Sequence, residues 1–294
     1  MTNMIGLLYH PRLPEAHTLS DALTEVLQSK GFDVWSASAW QEEAVLPFYA
    51  DTSALVAIGG DGTILRAARS LIPTAIPIIG IRYGRLGFLA EIPPEDAVIQ
   101  VPVLLSEQIE REERTMLQAT CSPSVLDPKV MQEHHPLLSS APQLHALNDV
   151  VIARGAVGRP ITVDVAIDGQ AFTSYRCDAV ILSTATGSTG YALATGGSIL
   201  NPVSQSYMMV PVSPHATMGN PLVLEPSSIT ELTVHSDHGA FLSIDGQIDV
   251  PLPDGARVTV QRSPYRASFL RAEPQHRFYA QLLRRLHFGD QLDP

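Results

Sequence analysis

Val56-Ala57-Ile58-Gly59-Gly60-Asp61-Gly62-Thr63 is the stretch of this chain best suited to chemistry. An apolar run ends, three glycines surround one acid, and a helical pattern begins. Glycine lets backbone approach a ligand closely, and free N–H groups at the start of the following helix attract phosphate oxygens. A carboxylate inside a phosphate cradle makes sense if it takes a proton from a hydroxyl or holds a metal that bridges phosphates. The competing reading is a tight strand-to-helix turn with Asp61 as a helix cap. A second stretch crowds hydroxyls onto a glycine-flexed loop: the apolar run Ala179–Ser183 leads into Thr184-Ala185-Thr186-Gly187-Ser188-Thr189-Gly190-Tyr191. Such a loop offers hydroxyl and backbone donors to phosphate or ribose, with Tyr191 available to stack on a base.

Rival motifs fail on single residues. A dinucleotide GxGxxG starting at Gly60 would need glycine where Leu65 stands, and GxSxG would need glycine at Thr186. A P-loop needs Gly-Lys, yet the lysines are Lys30 and Lys129, and neither follows glycine. The same scarcity removes a protein-kinase strand lysine.

The elements that must position these loops fall into two groups. Ile5–Tyr9, Phe32–Trp35, Ala54–Ile58 and Ile76–Ile81 read as strands. Between them, His17–Ser29 and Thr63–Ser70 carry helical spacing, and Gly31 follows the first as a stop. Strand, helix, strand at this spacing predicts a parallel sheet with covering helices. After about residue 107 the pattern turns to short extended runs: Thr115–Cys121, Ala146–Ala153, Ile161–Ile167, Ala171–Ser174, Ala179–Ser183, Leu222–Leu224, Glu231–Val234, Ala240–Ile244 and Arg257–Gln261. Asp168-Gly169 is a hairpin turn, and Ser122–Gln143 reads as a loop or long excursion. Phe278, Leu282, Leu283 and Leu286 return to helical spacing. The expected organisation is an α/β domain with a parallel sheet over 1–107, a β-rich, sandwich-like domain over 108–270, and a helical tail over 271–294 packing on the first domain. Two ligand-type loops, one in each domain, suggest a ligand held at the domain boundary.

Composition bounds the function. With 294 residues, 45% hydrophobic and 17% charged, the chain is globular and long enough for two domains. A net charge of -11 argues against gripping nucleic acid or an anionic membrane. Two cysteines, Cys121 and Cys177, are too few for a disulfide scaffold and read as reduced thiols. The first residues read as a strand and not a signal peptide, and no stretch nears the ~20 apolar residues of a membrane helix. The expectation is a soluble cytoplasmic protein.

Several motifs occur together in one order. Gly59–Thr63 resembles the GGDGT of NAD kinases, and Gly84-Arg85-Leu86-Gly87-Phe88-Leu89 their GxLGFL segment. Leu147-Asn148-Asp149 resembles their Leu-Asn-Glu, Ser183–Tyr191 their TPTGSTAY loop, and Asp245-Gly246-Gln247 their DGQ. The terminal Phe278-Tyr279 helix fits as well. The resemblance implies an enzyme that moves the terminal phosphoryl group of ATP, or of polyphosphate, to the adenosine 2′-hydroxyl of NAD, giving NADP. It implies Asp61 as the base or the group that orients the hydroxyl, with Gly62 and Arg66 nearby. Asn148 and Asp149 would hold part of the dinucleotide. Arg159, Arg176 and Asp178 would line the NAD site, partly across a subunit contact. Thr189, Gly190, Tyr191, Ala192, Leu193 and Ala194 would wrap the ligand, and Gln247 would complete it. A divalent cation, usually magnesium, and a homodimer or homotetramer come with the resemblance; no protein metal ligand is assigned. The chain departs from the family pattern at Arg82, Asp149, Ala185, Gly190, Ala194 and Asn220. A non-catalytic NAD(P)-binding sensor and, on GGDGT alone, a lipid kinase are the alternatives.

Other residues carry bland readings. His134-His135 and His145 could suggest a metal, but adjacent histidines in a Pro/Ser loop are better read as solvated. His215 reads as a structural imidazole, while His235, Asp237 and His238 read as a turn. Glu110–Arg114 reads as a solvated, mixed-charge face.

Overall fold

Parallel strands carry the first part of the molecule, here in a computed structural model that describes residues 3–84, 87–106, 111–121, 143–215, 218–272 and 278–285. In chain order come β1 (Met4–Tyr9), α1 (Pro14–Ser29), β2 (Asp33–Ser38), α2 (Glu42–Tyr49), β3 (Thr52–Gly59), α3 (Asp61–Ser70), β4 (Ile78–Arg82) and α4 (Ala97–Ser106). The strands lie in the order β2-β1-β3-β4, all parallel, as the alternating pattern predicts. β3 is apolar along nearly its whole length because both of its faces are covered. Proline at the first turn starts α1, whose Ala16, Leu23 and Leu27 pack on Leu7, Val56, Ile58 and Ile79. α2 and α4 are additions to the sequence reading, and each carries an internal proline, Pro47 and Pro102.

The chain divides into two compact units, Met1–Glu113 with Ala267–Pro294, and Arg114–Arg266. The second unit is β-rich. It holds β6 (Gln143–Ala146), β7 (Asp149–Arg154), β8 (Ile161–Ile167), β9 (Gln170–Cys177) and β10 (Ala179–Ser183), then a single helical turn, α5 (Tyr191–Ala194). β11 (Tyr207–Val212), β12 (Leu222–Leu224), β13 (Thr230–His235), β14 (Ala240–Ile244) and β15 (Ile248–Leu252) follow. β5 (Arg111–Cys121) and β16 (Ala256–Leu270) each run from one unit into the other. One sheet runs β12-β11-β10-β7-β14-β15, and β16, β13, β8 and β9 pair antiparallel in another. Inward side chains of both meet in one core, with Val150, Val180, Leu182 and Leu242 from the first sheet and Val163, Leu232 and Val258 from the second. Asp168 (φ 51°) and Gly169 (φ 77°) form the hairpin turn between β8 and β9.

The run expected over Ala146–Ala153 is two strands, interrupted at Leu147 and Asn148. Those two residues leave the ladder because their N–H groups are taken by a side chain described below. Past Arg266 the chain rejoins the first unit, where Phe269 pairs with Ile78 and α6 (Phe278–Arg285) buries Phe278. Both cysteines are buried free thiols. Among the described residues, no helix is long and apolar enough to cross a membrane. The Ser122–Gln143 excursion, with His134 and His135, lies almost wholly outside the described residues, as do Arg85, Leu86 and Leu286.

Candidate active site

Asp61 is the first residue of α3, after Gly60 in extended conformation (ψ -175°). Its half-buried carboxylate accepts three consecutive backbone N–H groups, Phe88 to Oδ2 at 2.8 Å, Leu89 to Oδ1 at 3.2 Å and Ala90 to Oδ1 at 3.1 Å. The Gly59–Thr63 turn and the described part of the Gly84–Leu89 segment are therefore one structure. Gly87 has no room for a side chain, since a Cβ there would fall on the Asp61 carboxylate. The Leu89 carbonyl accepts Arg271 Nη1 at 2.6 Å, and Arg271 Nε donates to Glu112 Oε1 at 2.9 Å. Glu91 Oε1 lies 3.5 Å from Arg271 Nη1. Asp61 is thus clamped by a loop that a buried arginine holds from behind. Gly62 is exposed and Arg66, one turn along α3, is half-buried.

Three predicted segments of the second unit converge in the same manner. Asp245, at φ 53° in the β14–β15 turn, is buried, and its carboxylate accepts Leu147 N–H at 3.0 Å, Asn148 N–H at 2.7 Å and Asp149 N–H at 3.1 Å. Thr184 N–H donates to the Asn148 carbonyl at 2.9 Å, and Thr184 Oγ1 donates to the Leu147 carbonyl at 2.6 Å. A Cβ on Gly187 would strike the Asn148 backbone, so glycine is required for the loop to close there. Asn148, Asp149, the 184–190 loop and Asp245-Gly246-Gln247 form one cluster. Thr189 is half-buried, Gly190, Tyr191 and Ala194 are exposed, and Leu193 is intermediate. Ala192 points inward, fully buried against Ile181 and Met208, so it packs the loop onto the sheet.

Burial, and then the nearby Asp245 charge, pushes the Asp149 carboxyl up to about 7. It is consequently a group that exchanges its proton near neutrality. Arg159, Arg176 and Asp178 do not join this cluster. Asp149 pairs with Ser183, whereas Asp178 precedes the opposite end of the same strand pair, where Ala153 pairs with Ala179. The ends are separated by the length of β7, roughly 15 Å at about 3.3 Å per residue. There, Asp178 accepts Arg154 Nε at 2.8 Å, and His215 N–H donates to the Arg176 carbonyl at 2.8 Å.

Two family models match the chain, the ATP-NAD kinase N-terminal domain over residues 40–109 and the ATP-NAD kinase C-terminal domain over residues 147–272. An NAD kinase of Dehalococcoides mccartyi is 39% identical over 279 residues, which is 95% of this chain and 94% of that protein. The chain belongs to the NAD kinase family. An NAD kinase of Chloroflexus aggregans is 35% identical over 286 residues, 97% of this chain and 99% of that one. Among solved structures, yeast NADH kinase complexed with NADH has a TM-score of 0.78 at 22% identity, covering 99% of this chain and 89% of that one. An Archaeoglobus fulgidus NAD kinase in complex with ATP has a TM-score of 0.74 at 24% identity, covering 96% and 99%. At these identities the two structures establish the shared fold.

Within this NAD kinase fold, sequence reasoning missed the buried network behind Asp61. Only one side of the 111–114 segment is solvated. Arg111 and Glu113 are exposed, whereas Glu112 and Arg114 are buried, since this end of β5 alternates; Glu110 lies outside the described residues. Arg114 Nη1 donates to Thr186 Oγ1 at 3.3 Å. The signal for Arg271 was a lone cation closing an apolar strand, Ser268-Phe269-Leu270-Arg271. His145 is likewise buried, 2.9 Å from Ser263 Oγ, and burial pushes its imidazole down to about 4. His235 ends β13 and lies 3.1 Å from Asp164 Oδ2, so it is strand and not turn.

Proposed function

We propose that this chain is an ATP-dependent NAD kinase, with Asp61 receiving or orienting the hydroxyl that attacks the terminal phosphoryl group. The observation that carries the reading is full-length likeness to curated NAD kinases, 39% identical over 95% of the chain. The geometry of Asp61 supports the role. An ionised carboxylate offers about four lone-pair sites, and three N–H groups occupy three of them, two on Oδ1 and one on Oδ2. Oδ2 keeps capacity for one further donor, such as a substrate hydroxyl. Phosphoryl transfer is catalysed chiefly by positioning and electrostatics, so a rigidly held acceptor is what the step needs.

Gly62 and Arg66 then serve the phosphoryl end. Asn148, Asp149, Thr189, Gly190, Tyr191, Leu193, Ala194 and Gln247 serve the dinucleotide, with Ala192 shaping the loop from beneath. Arg159, Arg176 and Asp178, at the far end of the same strands, fit the site of a second copy, as a homodimer or homotetramer would require. A magnesium ion would come in on the nucleotide's own phosphates, where it would offset their charge.

Purified protein with NAD, ATP and magnesium is expected to form NADP, read with an NADP-specific dehydrogenase. Asp61→Asn is expected to lower kcat by about 10²–10⁴ while NAD still binds. Absence of NADP with the wild-type chain would overturn the activity, and full turnover in Asp61→Asn would overturn the role.

A further inference from the structure

Arg271 closes the run Ser268-Phe269-Leu270 just past the end of β16, and it is buried. Its guanidinium lies 4.6 Å over the Phe269 ring centroid. Nε and Nη1 meet Glu112, Glu91 and the Leu89 carbonyl, while Nη2 is buried with no hydrogen-bond partner among the described residues. Apolar side chains of similar volume often replace a buried ion cluster at no loss of stability. Stability alone is therefore a poor reason for a cation here.

What Arg271 reaches is one particular peptide unit. A peptide bond is planar and trans, so its C=O and N–H point in opposite directions. The unit joining Leu89 to Ala90 gives its carbonyl oxygen to Arg271 Nη1 at 2.6 Å and its N–H to Asp61 Oδ1 at 3.1 Å. A cation, a peptide dipole and an anion thus stand in series. The negative end of the dipole faces the guanidinium, and the positive end faces the carboxylate. Leu89 and Ala90 are both buried, so salt and water screen the series little. Hydrogen bonds linked in this way polarise and strengthen one another. The next two residues are tied down as well, since Glu91 and Ile92 N–H share the Gly80 carbonyl at 3.3 and 3.2 Å.

We infer that Arg271 is a positioning residue for the reaction, acting on Asp61 through the peptide unit that joins Leu89 to Ala90. It fixes the amide that orients the carboxylate, and it strengthens the hydrogen bond between them. The inference rests on the phosphoryl-transfer reading of Asp61 and adds the group that sets the acid's geometry. Displacing such an acid costs rate, because the reacting atoms must be aligned closely.

NMR and steady-state kinetics test it together. Arg271→Lys keeps a charge but loses the fork that spans Glu112 and the Leu89 carbonyl. It is expected to move the Ala90 amide proton upfield and to lower kcat about tenfold or more, with KM for NAD and for ATP close to wild type. Arg271→Met, which removes the donor altogether, should lower kcat further. Glu112→Gln separates this effect from a loss of packing. Its side-chain oxygen can still accept Arg271 Nε, so the charge pair is lost while the Leu89 contact stays. Its urea midpoint should fall, with the Ala90 proton and kcat close to wild type. An unmoved Ala90 proton in Arg271→Lys would overturn the inference. So would a kcat that follows the urea midpoint across the variants, Glu112→Gln included. If Arg271→Met does not fold, Arg271→Lys and Glu112→Gln decide the question between them. The amide measurement needs no turnover. A protein that makes no NADP but shows the Ala90 shift would fail the proposed activity and leave the polarised amide standing.

Discussion

Asp61 and Asp245 are built alike and placed differently. Each carboxylate gathers three consecutive backbone N–H groups, two on Oδ1 and one on Oδ2. Each pins a segment that would otherwise be an unpaired loop beside a glycine-rich turn. Asp61 is half-buried at the start of a helix, with an edge open to solvent. Asp245 is buried in a turn with a left-handed backbone, beside a second acid, Asp149. One device therefore does two jobs. At Asp245 it is a structural knot that closes the second unit's loops, and at Asp61 the same knot is left partly open to solvent.

The largest test of that contrast is removal of each acid. Asp245→Ala would strand three N–H groups, two of them buried at about 1–3 kcal/mol each, so a loss of at least about 2 kcal/mol is expected in urea unfolding. Asp61→Asn should keep the first unit folded and lose turnover instead. Equal destabilisation by the two changes would erase the distinction. Next in size is Gly87→Ala, whose methyl group must displace the Asp61 carboxylate. Crowding of this kind costs about 1–3 kcal/mol. It is expected to appear as a kcat lowered about tenfold or more, with a loss of stability no larger than that. A normal kcat would mean that Asp61 tolerates displacement.

The most gradual effect is a slope in pH. Asp149 titrates near 7 in the folded protein and near 3.8 when unfolded, so between those values the folded state holds the extra proton. Its contribution to stability falls as pH rises through that window and is flat above it. His145 titrates near 4 folded and 6.5 unfolded, so there the unfolded state holds the extra proton and stability rises with pH. From about 4 to 6.5 the two slopes oppose one another. Asp149→Asn should therefore expose the histidine's slope, up to about 1.4 kcal/mol per pH unit, as stability lost on acidification from 6.5 to 4. Denaturant midpoints across that range check it, and a flat profile in the variant would contradict the burial of His145.

Much of this was legible in the chain because local signals agreed. β3 is apolar from Ala54 onward, its glycines follow at once, and α3 begins at the acid, so strand, turn and helix were readable from ten residues. The Asp168-Gly169 hairpin was equally plain. What escaped detection had proline where regularity was expected. Pro47 and Pro102 sit inside α2 and α4, and Pro211 and Pro251 inside β11 and β15. α4 also reads as a strand, being rich in valine and leucine with little polar contrast. At the site, the motifs identified the acids but not their acceptor work. Nothing in Phe88-Leu89-Ala90 or Leu147-Asn148-Asp149 announces that the N–H groups point at a carboxylate 27 or 97 residues away. The cation closing Ser268–Arg271 likewise gave no hint of its partners, since Leu89 and Glu112 are distant in sequence.

That distance has a consequence for synthesis on the ribosome. The loop around Asp61 leans on Arg271, and every residue from Arg114 to Arg266 is translated between them. The inserted unit can collapse while the nascent chain is still growing, but the first unit must wait for its final strand. The contacts of Arg271 with the Leu89 carbonyl and Glu112 are therefore among the last the growing polypeptide can form.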